Sequence, residues 1–233
     1  MVDIKKNLEN LWERITKVCT KVKRKKEEIE IVAISKGVDV ERIKEAIKCG
    51  LNKIGENRVQ EALKKIPIIE NEFKNIEWHF VGHLQTNKVK KAIKYFPVIQ
   101  SVDRISLAEE LQKEAQKADK IVKIFIQVNT SFEETKFGIS PDELDKLVEY
   151  VLNLANLKLI GLMTLGPVTA LENKENSRKS FRLLYELREK VKEKFKIPLP
   201  YLSMGMSSDF EVAIEEGANM IRIGTLIFGP RNQ

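Results

Sequence analysis

Lys36 closes a short apolar run, Ile31-Val32-Ala33-Ile34-Ser35. A lysine held against a buried strand loses its proton more readily than a surface lysine and can then attack a carbonyl to form a Schiff base. The same position also suits a strand-end lysine that simply reaches solvent. A second signal lies near the far end of the chain, where Ser207-Ser208-Asp209 opens a candidate helix and Gly224-Thr225 follows another apolar run. Hydroxyls, backbone N–H groups at a helix start and a glycine that permits close backbone approach favour a bound dianion; an ordinary N-cap and a glycine turn fit there equally well. Arg222 lies two residues before Gly224 and shares its side of a strand. Arginine keeps its proton, so against a pyridine nitrogen it donates and leaves that nitrogen unprotonated. His79 and His83 are four apart, but in the strand-like stretch EWHFVGH and with no carboxylate placed as a third ligand, so no metal site is expected. His83 is expected to line a pocket and His79 to pack inside. Walker A, GxGxxG and GxSxG motifs are missing, and Cys19 and Cys49 form no CxxC pair.

These residues need elements to position them. Two apolar periods alternate along the chain. Residues 3–26 carry Ile4, Leu8, Leu11, Ile15, Val18 and Val22 at helical spacing. Further helices are predicted over 39–49, 57–66, 86–94, 104–118, 141–154, 172–196 and 208–216. Gly50 supplies a C′ stop, Ser140-Pro141 an N-cap and first position, and Ser208-Asp209 another N-cap. Strand candidates fall between them at 31–35, 52–55, 77–81, 98–101, 121–128, 158–163, 201–204 and 220–223. Strand–helix alternation without an Asn-Gly or Asp-Gly hairpin signal means parallel pairing through crossovers. Eight such units close into a (β/α)8 TIM barrel, here with one extra N-terminal helix. No Pro/Gly/Ser-rich linker divides the chain, so one domain is expected over residues 1–233. An open doubly wound sheet is the rival; it wants a Gly-rich turn after its first strand, and that position reads Ser35-Lys36-Gly37-Val38.

In such a barrel the functional residues lie just past the C-terminal strand ends, and the loops after strands seven and eight often hold a phosphate. That geometry brings Lys36, Asn57, His83, Ser207, Arg222, Gly224 and Thr225 to one mouth. An imine-forming lysine on strand one and a phosphate cup at strands seven and eight would together hold pyridoxal 5′-phosphate across it.

Composition narrows the classes. The chain has 233 residues, of which 42% are hydrophobic and 32% charged; that mix supports a large core and excludes a disordered chain. No apolar run reaches the roughly 18 residues that a membrane crossing needs, and the charged start MVDIKKNLENLWERI lacks a signal-peptide core. A cytoplasmic protein is expected, with no membrane partner. The net charge of +7 raises the question of nucleic acid. The lysines, however, are spread out and mostly sit beside glutamates, as in LREKVKEKFK, and the dense run Lys21–Lys26 falls at a predicted helix end, where cations suit the dipole. No nucleic-acid partner is expected.

At the same residues the sequence closely resembles the YggS/PROSC group, the pyridoxal phosphate homeostasis proteins, which are related to the N-terminal barrel of alanine racemase. The matching stretches run in order over nearly the whole chain: Ala33-Ile34-Ser35-Lys36, Ile54-Gly55-Glu56-Asn57-Arg58-Val59-Gln60-Glu61, Trp78-His79-Phe80-Val81-Gly82-His83-Leu84-Gln85-Thr86-Asn87-Lys88, Gly161-Leu162-Met163-Thr164, Leu202-Ser203-Met204-Gly205-Met206-Ser207-Ser208-Asp209 and Arg222-Ile223-Gly224-Thr225-Leu226-Ile227-Phe228-Gly229. The resemblance implies that Lys36 carries pyridoxal 5′-phosphate as an imine, that Arg222 lies near the pyridine nitrogen, and that Ser207, Gly224 and Thr225 hold the phosphate. It further implies that Asn57, Met204 and His83 line the cofactor pocket. The implied function is intracellular pyridoxal phosphate (vitamin B6) homeostasis, with release by transimination to free amines or to apoenzymes that use the cofactor. The alternative is an amino-acid racemase using the same site. Alanine racemase takes its second acid/base, a tyrosine, from a further domain. A chain ending at Gln233 is expected to lack that domain and much of the family's dimer interface, which makes a monomer and a non-enzymatic carrier the expectation.

Overall fold

The computed structural model describes residues 2–230. Eight parallel strands close into a barrel in chain order: β1 (Glu30–Ile34), β2 (Lys53–Glu56), β3 (Glu77–Phe80), β4 (Val98–Val102), β5 (Val122–Gln127), β6 (Leu157–Met163), β7 (Tyr201–Ser203) and β8 (Met220–Ile223). The ring shuts between β1 and β8, with Val32 opposite Arg222. Around it run α1 (Ile4–Lys21), α2 (Val40–Lys48), α3 (Val59–Glu70), α4 (Val89–Tyr95), α5 (Ile105–Lys117), α6 (Leu144–Leu152), α7 (Arg178–Phe195), α8 (Phe210–Glu215) and α9 (Thr225–Phe228). The expected barrel and its leading helix are therefore present.

Local chemistry sets most boundaries. Asp3 caps α1 by accepting from Lys6 N at 2.9 Å, and Asp39 caps α2 by accepting from Arg42 N at 2.9 Å. Helix α1 stops earlier than residue 26: Lys23 takes a left-handed φ of 57°. Arg24 then turns back, and its guanidinium donates to the Ile214 and Ala218 carbonyls at the C-terminal end of α8, so part of the basic run is spent on a helix end. Helix α3 runs past the expected stop because Ile66 and Ile69 are both buried on either side of Pro67; packing outweighs the hydrogen bond that proline removes. The predicted helix over 172–196 begins only at Arg178, after two 3-10 turns at Val168–Leu171 and Lys174–Ser177.

Two apolar layers result. The larger lies between the strands and the helices and includes the α1 stripe Ile4, Leu8, Leu11 and Ile15. The smaller fills the barrel with Val32, Val98, Phe125, Ile160, Met163 and Met220. Gly55 belongs to this inner layer, since a Cβ there would lie 2.6 Å from Ile34 Cδ1 and 2.9 Å from Val32 Cγ1. Among the described residues, no helix is long and apolar enough to cross a membrane, and no group of three or more His, Cys, Asp or Glu side chains could hold a metal.

Candidate functional site

A cavity of about 370 Å³ opens at the C-terminal end of the barrel. Alternation along β1 turns Val32, Ile34 and then Lys36 inward, and half-buried Lys36 lines this cavity. The backbone around Lys36 is clamped from outside the barrel. Lys65 of α3 donates to Ser35 O at 2.7 Å, to Glu56 Oε1 at 2.9 Å and to Glu61 Oε1 at 2.5 Å. Ser35 Oγ donates to the same Glu56 oxygen at 2.6 Å, and Gly37 N donates to Glu61 at 2.6 Å. Lys36 is thus flanked by a fixed carbonyl before it and a fixed N–H after it. Burial pushes the Glu56 carboxyl above its ordinary value, against the pull of Ser35 and Lys65.

Arg222 forms the floor. Its guanidinium donates to Ser203 Oγ at 2.7 Å and to Thr164 O at 2.6 Å, and its backbone N–H donates to Gly205 O. Thr164 is itself held by its hydroxyl, which donates to Val128 O at 2.7 Å, so the ends of β5, β6, β7 and β8 meet at this arginine. Burial pulls the guanidinium down to about 10, which leaves it cationic at neutral pH.

Asn57, after β2, lines the same cavity. Its Oδ1 is buried without a hydrogen-bond partner among the described residues. The loop after β3 presses on it: a Cβ on Gly82 would lie 2.2 Å from Asn57 O. His83 stands at the rim, stacked on Phe137 with ring centroids 3.8 Å apart and Nδ1 3.6 Å from Asp103. Phe137 comes from the loop after β5, which Gln127 pins by donating to Phe137 O at 2.8 Å.

The other expected residues sit differently. Met204 is fully buried in the outer core, while Met206 forms cavity wall. Ser208 lines the cavity, and Ser207 lies beside it, half-buried. Gly224 is the N-cap of α9, with Thr225 its first residue, and a Cβ on Gly224 would lie 3.3 Å from Ile34 O; both therefore stand next to the end of β1. Of the expected N-cap pair Ser208-Asp209, Asp209 is the cap residue of α8, but its side chain makes no capping bond. Instead its carboxylate accepts from Met206 N at 2.7 Å and from Ser177 Oγ at 2.7 Å, tying the loop after β7 to the one after β6. Sequence reasoning missed Lys136, a second lysine in the cavity wall, paired with Glu133 at 2.6 Å; it sits well along the loop after β5 rather than at the strand end itself, in a lysine-rich chain. Tyr201, the first residue of β7, lies at the opposite end of the barrel, 3.3 Å from Glu30.

Residues 6–232 match the family model described as alanine racemase, N-terminal domain. A pyridoxal phosphate homeostasis protein of Aquifex aeolicus is 48% identical over 224 residues, covering 96% of each chain. Among solved structures, an unknown protein from Bifidobacterium adolescentis superposes with a TM-score of 0.91 at 30% identity, covering 98% of both chains. PipY of Synechococcus elongatus PCC7942, solved with pyridoxal phosphate bound, superposes with a TM-score of 0.80 at 31% identity over 97% of this chain and 100% of that one. The shared barrel, the full-length match and the placement of the lysine and arginine at one mouth agree: the chain belongs to the alanine racemase N-terminal domain family and, within it, to the pyridoxal phosphate homeostasis proteins.

Proposed function

We propose that this chain binds pyridoxal 5′-phosphate on Lys36 as a Schiff base, serves cofactor homeostasis, and gives the cofactor up by transimination. The observation that carries the reading is the convergence of Lys36, Asn57 and Arg222 on one cavity, in a chain whose relatives bear the homeostasis name and whose structural neighbour PipY holds the cofactor. The residues present fit such a group. Asn57 Oδ1 is a buried acceptor with no partner among the described residues. Arg222 offers a fixed cationic donor, and Ser207, Gly224 and Thr225 offer hydroxyls and backbone N–H groups at the starts of two helices for the phosphate. The bound group supplies a reactive aldehyde and an electron-withdrawing ring; facing a donor-only guanidinium, the ring nitrogen stays unprotonated and withdraws electrons poorly. That suits storage and exchange better than bond cleavage at the substrate carbon. Lys36 holds the carbon until an incoming amine attacks it. The carbon–nitrogen double bond to the incoming amine would replace the one to Lys36, and both hydrogens of the neutral amine would pass to the Lys36 nitrogen, which would leave as the free amine. Apoenzymes and free amines are the recipients, and the working unit is a single-domain monomer in the cytoplasm.

Borohydride reduction of the reconstituted protein fixes any imine. A single adduct at Lys36 by peptide mass, with an imine absorbance band that Lys36→Ala loses, is expected. If reconstituted protein shows neither band nor adduct, the reading fails. A racemase would need proton groups on both faces of the substrate carbon. Loss of optical rotation from L-amino acids at the rate of a dedicated enzyme would replace the storage reading.

A further inference from the structure

Arg222 is the head of a polar chain that threads the barrel. It donates to Ser203 Oγ at 2.7 Å, and Ser203 Oγ donates to Gln100 Oε1 at 2.6 Å. Gln100 Nε2 lies 2.8 Å from His79 Nδ1, and His79 Nε2 lies 3.0 Å from Glu77 Oε1. Strands β4 and β7 are not neighbours, so the bond between Ser203 and Gln100 crosses the interior. His79, Gln100 and Ser203 are fully buried. The chain ends where β3 begins, and there Lys123 Nζ holds the other Glu77 oxygen at 2.7 Å. These polar groups stand among Val98, Phe125, Met163 and Met220, where hydrophobic side chains would fill the space at lower desolvation cost. Stability alone does not account for them.

The two ends fix the direction. A guanidinium only donates and a carboxylate only accepts. Glu77 therefore requires a proton on His79 Nε2. A neutral imidazole then leaves Nδ1 as acceptor, which requires the Gln100 amide N–H. Gln100 so turned presents its oxygen to Ser203 and its second N–H to Met220 Sδ at 3.3 Å. The reverse orientation needs an imidazolium, which burial opposes; burial pushes His79 below its ordinary value.

We propose that Ser203, Gln100, His79 and Glu77 are positioning residues, a one-directional hydrogen-bond chain that locks the Arg222 guanidinium in the pose facing the cofactor ring. The role rests on the proposed cofactor site; the direction of the chain does not. The chain contains two histidines, so ¹⁵N-histidine labelling gives two readable rings, which His83→Gln assigns. In cofactor-free protein at neutral pH, His79 is expected as the neutral Nε2–H tautomer; an Nδ1–H tautomer or an imidazolium overturns the chain. In loaded protein, Gln100→Met is expected to release pyridoxal phosphate about tenfold faster, the size of one lost buried hydrogen bond. Release within about twofold of the natural protein overturns the positioning role. Should Gln100→Met fail to fold, Glu77→Gln at the solvent end is read instead: shifted His79 ¹⁵N signals and faster release support the role, and unchanged ones overturn it. Natural protein that takes up no cofactor defeats the site reading and the positioning role together, while the tautomer still decides the chain.

Discussion

Single residues at the mouth do opposite jobs, and their neighbours decide which. Lys36 and Lys65 stand on opposite sides of the same backbone segment. Lys65 is buried and satisfied by Ser35 O, Glu56 and Glu61, which makes it a clamp, while Lys36 lines the cavity. Glycine 82 shows how tightly the mouth is drawn. A Cβ there would lie 2.2 Å from Asn57 O and 2.8 Å from Asn57 Cα. Backbone cannot swing aside as a flexible side chain can, so Gly82→Ala is expected to push the loop after β3 away from Asn57. The expected cost is about 1–3 kcal/mol, as for other overpacked sites, together with weaker retention of pyridoxal phosphate. Urea unfolding and a cofactor release assay check both. A variant as stable and as retentive as the natural protein would show that the loop has room to move. At this scale the sequence was partly legible. Lys36 and Arg222 stood out as charged residues at the ends of apolar runs. Asp209 did not, because a helix-opening aspartate looks the same whether it caps its own helix or braces a neighbouring loop. Gln100 and Ser203 were visible only as polar residues at strand ends; their contact joins strands far apart in the chain.

At the level of elements, the eight strands could be read because each is a short apolar run between helical patterns, and parallel pairing leaves no other way to connect them. Boundaries were less legible where packing overrode local rules, as at Pro67 inside α3, or where an element is too short to show a period, as with four-residue α9. The contact of α3 with the β1 end invites a test. Removing the Lys65 ammonium would strand Glu56, which is fully buried and already has one oxygen without a partner among the described residues. Lys65→Met is therefore expected to lose about 3–5 kcal/mol, the cost of leaving one member of a buried pair uncompensated. Burial already holds Glu56 above its ordinary value, and the variant raises it further. Both folded forms keep the Glu56 proton above the ordinary carboxylate value of 4.5, the variant more strongly, so the deficit is small in acid and opens only above that value, between the pH at which the natural folded protein releases the proton and the higher pH at which the variant does. Urea midpoints across that range decide the matter; a deficit that does not change with pH would mean lost packing rather than a stranded charge.

Across the whole molecule, the barrel's closing seam is braced from outside by charge. Glu215 at the end of α8 accepts from Lys21 of α1 at 2.7 Å and from Arg178 of α7 at 2.6 Å. Glu216 accepts from Arg178 at 2.7 Å and from Arg182 at 2.9 Å. One short acidic turn thus joins the leading helix to the sixth and seventh strand–helix units, the seventh of which carries Ser207. Burial alone would raise the Glu215 carboxyl, but its two cations overcome this and hold it below its ordinary value of 4.5. A lowered folded value means that the stabilisation is fully present above the unfolded value and is lost as pH falls below it. Glu215→Gln is accordingly expected to be less stable than the natural protein at neutral pH, by no more than about 1 kcal/mol because Lys21 is open to solvent. The difference should shrink as pH falls from about 5 towards 3, where the natural carboxylate loses its charge. Urea midpoints for both proteins over that interval measure it. High salt at neutral pH should narrow the same gap through screening. A gap that stays constant in acid and in salt would mean that shape, not charge, holds α1 to the seam.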